Sequence, residues 1–139
     1  MIFAKEHSLC AEKQQIIVSS ENGKEHRALN KHANVVFQFK IDGDIISQSS
    51  EYQRCDYILE NQTKLHAYLI ELKGSDINHA VEQIRNTCKM FKNELKGYII
   101  RPRIVCRSNT HAVRGSKVRM LKKDYDNTII RNDVIEETI

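Results

Sequence analysis

The run Leu65 to Lys73, LHAYLIELK, is the most apolar strand-like stretch of the chain, and it stops at Gly74. A run apolar at nearly every position has little solvent face, so it reads as a strand buried on both sides, central in a sheet. The residues that follow constrain the next layer. Ser75 and Asp76 supply capping side chains, and Ile77, Val81, Ile84, Cys88 and Phe91 then recur at i, i+4, i+7, i+11 and i+14. That spacing predicts a helix laying one apolar stripe on the sheet.

Other elements are read from period and turn chemistry. Ile16-Ile17-Val18 reads as a short strand. Asn22-Gly23-Lys24-Glu25 reads as a helix start, with Asn22 as cap and Glu25 reaching back as in a capping box, and the predicted helix runs to about Ala33. Val35 to Ile41 alternates at period two and meets Asp42-Gly43, a favoured hairpin pair, so Asp44-Ile45-Ile46 is expected to return antiparallel. After a polar connection at Gln48 to Glu51, Tyr52 to Glu60 alternates, with Cys55, Tyr57 and Leu59 on one face and Asp56 and Ile58 on the other. Asn61 to Lys64 form a turn, Tyr98 to Cys106 another strand, and Ile129 to Ile135 a last edge strand or short helix.

A chain of 139 residues suits one core, so residues 1–139 are expected to form a single α/β domain. Its 40% hydrophobic and 29% charged residues exclude a disordered or membrane-embedded chain. With no apolar run of bilayer length and no secretory h-region in MIFAKEHSLC, a cytoplasmic protein is expected. Cys10, Cys55, Cys88 and Cys106 lack metal or redox spacing and read as free thiols. The histidines show no HExxH or similar spacing. They read as ordinary surface or strand residues.

The net charge of +4 says less than its distribution. From Arg101 to Lys123 the cations Arg101, Arg103, Arg107, Arg114, Lys117, Arg119, Lys122 and Lys123 occur without a single Asp or Glu. A one-sign segment attracts polyanions, with nucleic acid the commonest partner. A solvated face is the alternative.

If Asn61 to Lys64 is a turn, Glu60 pairs with Leu65 and Asp56 lies opposite Leu69. Asp56, Leu69, Glu71 and Lys73 then share a sheet face, with Asp56 and Glu71 roughly 7–8 Å apart as diagonal neighbours. A lone Glu-x-Lys on a strand is usually a surface ion pair. Here it closes an apolar strand opposite an Asp and ahead of a capped helix. Two carboxylates beside one ammonium suit Mg²⁺, which takes oxygen ligands and keeps waters for substrate phosphates. Such an ion polarises a phosphoryl oxygen and activates a water that Lys73 can orient, which is phosphodiester hydrolysis.

Asp56, then Glu71-Leu72-Lys73 on the next strand, then a helix carrying Gln83, resembles the signature of the PD-(D/E)xK nuclease superfamily, which includes restriction endonucleases and Holliday junction resolvases. The resemblance covers about residues 22 to 107. It implies a restriction-endonuclease-like αβββαβ core, with a mixed central sheet flanked by helices. It implies Asp56, Glu71 and the Leu72 carbonyl as ligands of Mg²⁺ or Mn²⁺, Lys73 as the catalytic lysine and Gln83 as an active-site helper. Cys55 stands where the motif has proline. Many members place a glutamate of the first helix near the metal, and Glu25 is the candidate here beside its capping-box reading. The resemblance further implies a homodimer acting on nucleic acid, with DNA the expected substrate. The alternative is an inactive nucleic-acid-binding or protein-interaction module of a larger assembly.

Overall fold

In the computed structural model, which describes residues 1–47, 53–72, 76–107 and 115–139, a 3-10 turn at Lys5–His7 precedes ten regular elements. These are β1 (Ile16–Glu21), β2 (Lys24–Leu29), β3 (Val36–Lys40), β4 (Tyr57–Asn61), β5 (His66–Leu72), α1 (Ile77–Met90), β6 (Ile99–Cys106), α2 (Ser116–Asp124), β7 (Ile129–Asn132) and β8 (Val134–Thr138). Five strands form one mixed sheet in the order β3-β4-β5-β6-β7, so the apolar run is central as its composition demands. β3, β4 and β5 run antiparallel in turn, whereas β5, β6 and β7 are parallel neighbours joined through α1 and α2.

Both helices cover one face. Ile77, Ala80, Val81 and Ile84 of α1 and Val118 and Leu121 of α2 share a core with Phe37, Phe39, Ile58, Ala67, Leu69 and Ile104. The alternate residues of the same strands, among them Val36, Leu59, Tyr68, Ile70, Leu72 and Val105, face a second sheet of order β1-β2-β8, which contributes Ile17, Ala28 and Ile135. Burying one large aliphatic side chain in this way contributes roughly 1.5–3 kcal/mol. The result is a single small α/β domain of three layers: helices, five-stranded sheet, three-stranded sheet.

The helix expected from Asn22 to Ala33 is instead strand β2. Asn22 and Gly23 have φ of 51° and 79°, the left-handed pair of a tight hairpin turn, and Lys24, His26 and Ala28 are buried at period two. The helices therefore flank one face of the central sheet, and a sheet covers the other. Asp44 to Ile46 do not return as a strand: β4 takes one edge of β3, and the segment from Leu9 to Glu12 takes the other, with Leu9 N donating to Gln38 O at 2.8 Å and Val36 N to Glu12 O at 2.7 Å. The chain closes a loop there, with Gly43 N donating to Ile46 O at 2.7 Å and Ile46 N to Ile41 O at 2.9 Å. The connection at Gln48 to Glu51 lies outside the described residues.

Two smaller differences matter for the site. Leu65, at φ 56°, belongs to the turn rather than to the strand, and Asn61 stays in β4. The ladder therefore pairs Asn61 with His66 and Tyr57 with Ile70, two residues from the expected register. The face alternation also breaks before β4. Cys55 lies in the helix-side core with Ile58, not on the side of Tyr57 and Leu59.

Candidate active site

The break in alternation is made by Asp56. Its main-chain N–H donates to Ile70 O at 3.0 Å and its carbonyl accepts from Ile41 N at 2.8 Å. Its carboxylate oxygen Oδ2 accepts from Leu72 N at 2.8 Å, where a backbone carbonyl would serve in a regular ladder. The side chain thus continues the sheet at the end of β4, fixed against the last residue of β5. It is half-buried.

Glu71, the neighbour of Leu72, belongs to the face that Ala67 and Leu69 turn toward α1, and it is 1% exposed. Leu72 is buried on the other face under the second sheet. α1 is tied to the same region. Asp76 caps it by accepting from His79 N at 2.9 Å, Thr87 Oγ1 accepts from Cys55 N at 2.8 Å, and Gln83 Nε2 donates to Arg54 O at 3.1 Å. Gln83 is buried beneath the helix, and its Oε1 has no hydrogen-bond partner among the described residues. Burial pushes the Cys55 thiol well above its ordinary value; the hydrogen bond with Thr87 opposes the rise, and the Glu71 and Asp56 charges add to it. Lys73 lies outside the described residues, as does Ser75.

A further acid, Glu21, lies near enough to Asp56 to feel its charge. Ile17 and Ser19 are the buried residues of β1, and Glu21, next at period two, is exposed at the hairpin tip. Partial burial raises the Glu21 carboxyl above the ordinary carboxylate range; the nearby Asp56 charge adds to this, Lys40 opposes it and Asp42 adds a little. Glu25 points the other way. It shares the outer face of the hairpin with Ser20 and pairs with Arg27 at 2.9 Å, so it takes neither the capping role nor the metal role expected of it. The signal for Glu21 is the Asn22-Gly23 turn itself, which puts residues 21 and 24 opposite each other at a hairpin tip.

Arg54 supports the approach to Asp56. It is buried, and its guanidinium donates to Asp42 Oδ1 at 2.8 Å and Ser47 O at 2.6 Å, pinning the loop after β3 beside the site.

The basic segment does not form one surface. Arg103 is 1% exposed and sits between the sheets, its Nε 2.6 Å from Glu137 Oε2, so it has no access to a phosphate. Arg101 is half-buried, donates to His66 Nδ1 at 3.2 Å and lies opposite Tyr68, three residues back along β5 from Glu71, or roughly 10 Å. Lys117 pairs with Glu82 of α1. Arg107, Arg119, Lys122 and Lys123 are exposed, and Arg114 is outside the described residues. His26 is a strand histidine of β2, fully buried, with Nε2 2.8 Å from Glu137. The four cysteines are free thiols.

Among the described residues no group of three His, Cys, Asp or Glu side chains is placed to hold a metal ion. The donors at the sheet end are carboxylate oxygens, and a pair of them is what Mg²⁺ takes when water and substrate phosphates complete its shell. In donor type Asp56 and Glu71 suit a hard divalent ion. Comparison with protein-family models, with curated proteins and with solved structures finds no match to this chain.

Proposed function

We propose that this chain is a metal-dependent nuclease of the PD-(D/E)xK kind, with a restriction-endonuclease-like core, hydrolysing phosphodiester bonds of nucleic acid with DNA as the substrate. The observation that carries the reading is the end of the central strand. Asp56 is locked onto the Leu72 amide, Glu71 is the adjoining residue, and Gln83 lies beneath the same helix. Asp56 and Glu71 hold Mg²⁺ or Mn²⁺, with the Leu72 carbonyl as a further ligand. When bound, the cation supplies Lewis-acid polarisation of a phosphoryl oxygen and a more acidic water. Asp56 cannot swing away while it accepts the amide, so its second oxygen is preoriented. Lys73, two residues beyond Glu71, orients the attacking water and offsets developing charge. Exposed Arg107, Arg119, Lys122 and Lys123 draw in the polyanion, and a homodimer supplies one site to each strand.

The Asp56–Leu72 hydrogen bond also favours a second reading, in which Asp56 is a structural acid of an inactive binding module. Incubation with labelled DNA and RNA in single-stranded, duplex and branched forms, with Mg²⁺, Mn²⁺ or chelator, separates the two. The nuclease reading expects metal-dependent cleavage that Glu71→Gln and Lys73→Ala abolish. Absence of cleavage with every nucleic acid and both metals, or cleavage indifferent to these substitutions, overturns it.

A further inference from the structure

At the other end of the central strand a group of hydrogen-bond donors lacks an acceptor. Asn61 ends β4 and pairs directly with His66, the first residue of β5, so both side chains lie on one face of the sheet. Arg101 of β6 pairs with Tyr68 and shares that face. Its Nε donates to Nδ1 of His66 at 3.2 Å, and its guanidinium lies 5.8 Å from the centre of the Tyr68 ring. A ring nitrogen that accepts carries no proton, so the neutral His66 presents its N–H at Nε2. Burial, and then the charges of Arg101, Lys64 and Arg103, hold the ring below its ordinary value and keep it in that neutral form. Among the described residues, His66 Nε2 and the two terminal nitrogens of Arg101 take no hydrogen bond or ion pair. Asn61 is fully buried; its Oδ1 accepts from Lys64 N at 3.1 Å, and its Nδ2 has no partner among the described residues. Glu137, an acid of the same interlayer space, is spent on Arg103 and His26.

We propose that Arg101, His66 and Asn61, with exposed Lys64 at the rim, form a phosphate-binding site separate from the candidate active site. The Arg101 fork offers two parallel N–H groups to two oxygens of one phosphate, and a phosphate keeps further lone pairs for the His66 and Asn61 donors. Lys64 adds charge without demanding fixed geometry. A buried N–H left without an acceptor is costly, and a phosphate oxygen seated between His66 and Asn61 removes that cost. The site lies six residues, or roughly 20 Å, along β5 from Leu72, so it takes no part in the chemistry proposed there and needs no cation. It holds a phosphate of the polymer backbone or a free phosphate group, which present the same oxygens to the same donors.

NMR titrations in chelator, following the His66 ring signals, test this with inorganic phosphate in one arm and a short single-stranded oligonucleotide in the other. The proteins are wild type, Arg101→Gln, Asn61→Asp and, as a control cation elsewhere on the surface, Lys13→Gln. Aspartate keeps an oxygen for Lys64 N but replaces the unpaired donor with an anion. The expected result is equal affinity in wild type and Lys13→Gln, and affinity lower by on the order of tenfold or more in Arg101→Gln and Asn61→Asp. Loss in the oligonucleotide arm makes the polymer backbone the source of the phosphate, and loss in the inorganic arm alone makes it a free phosphate group. No response of His66 to either ligand, or affinities that both substitutions leave unchanged, overturns the proposal. Should either variant not fold, Arg101→Lys keeps the charge and loses the fork. It carries the same expectation of weakened binding, and wild-type affinity in it overturns the site.

Discussion

Asp56 carries a structural bond and a proposed chemical role on the same side chain. Its Oδ2 accepts the Leu72 amide, and a hydrogen bond to a charged acceptor contributes roughly 1.5–3 kcal/mol. Asp56→Asn can keep that contact through its amide oxygen, whereas Asp56→Ala leaves the end of β5 without its acceptor. Denaturant midpoints should therefore place Asn within about 1 kcal/mol of wild type and Ala lower by a further ~1–2 kcal/mol, with both failing to bind Mn²⁺. Equal stability of the two variants would show that the Leu72 amide finds another partner. Thr87 carries a comparable load, since its hydroxyl accepts from the Cys55 amide and donates to Gln83 O at 2.7 Å. Thr87→Val strands a buried N–H and should cost about 1–3 kcal/mol in the same assay, while a cost near zero would mean that α1 shifts to compensate.

At the scale of elements, β5 and α1 were legible in the sequence because every local cue agrees there: an apolar run, a stop, a capping Asp and a 3.6-residue stripe. The hairpin β1–β2 carried two conflicting cues. Asn22 and Glu25 are spaced as a capping box, but Asn22-Gly23 is also the favoured two-residue turn, and inward burial of Ile17, Ala28 and His26 decides for the turn. Glu21 was hidden by that choice. The parity break at Asp56 was not legible at all, since a side chain bonding a backbone amide sixteen residues away leaves no periodic trace. Nor was the split of Ile129 to Ile135 between two sheets, where Asp133 at φ 63° turns the chain from β7 to β8. The two helices also divide the proposed labour. α1 buttresses the acids, and α2 carries exposed Arg119, Lys122 and Lys123. Replacing those three with Ala should weaken binding of labelled oligonucleotides alike across sequences, and flatten the salt slope by up to about three units. An unchanged slope, measured in Ca²⁺ to suppress cutting, would leave α2 a solvated face.

Across the whole molecule, the two sheets are joined by a buried ionic clasp. Glu137 of β8 accepts from Arg103 of β6 through both oxygens, at 2.6 and 3.0 Å, and its Oε2 lies 2.8 Å from Nε2 of His26 in β2. Arg103 also donates to Pro102 O and Asn127 O, and its guanidinium lies 5.2 Å from the centre of the Tyr68 ring. Burial by itself would raise the Glu137 carboxyl, but the hydrogen bonds from His26 and Arg103 and the Arg103 charge outweigh it and hold the group at about 2, against an ordinary 4.5. A depressed carboxylate contributes stability that is complete above its unfolded value and lost as pH falls through its folded value. The contribution from Glu137 is thus present above pH 4.5 and disappears toward pH 2, and the shift corresponds to about 3 kcal/mol. Other acids titrate over the same range, so the informative quantity is the difference between wild type and Glu137→Gln, measured by urea unfolding from pH 7 to pH 2. At pH 7 the variant leaves the Arg103 charge buried without its counter-ion and should be less stable by about 3–5 kcal/mol. As the wild-type carboxylate takes up its proton, the gap between the two proteins should narrow by most of the ~3 kcal/mol that the shift represents. A gap that stays constant down to pH 2 would mean that Glu137 joins the sheets by packing and neutral hydrogen bonds, and that the charge of the clasp contributes nothing to holding the hairpin over the central strand.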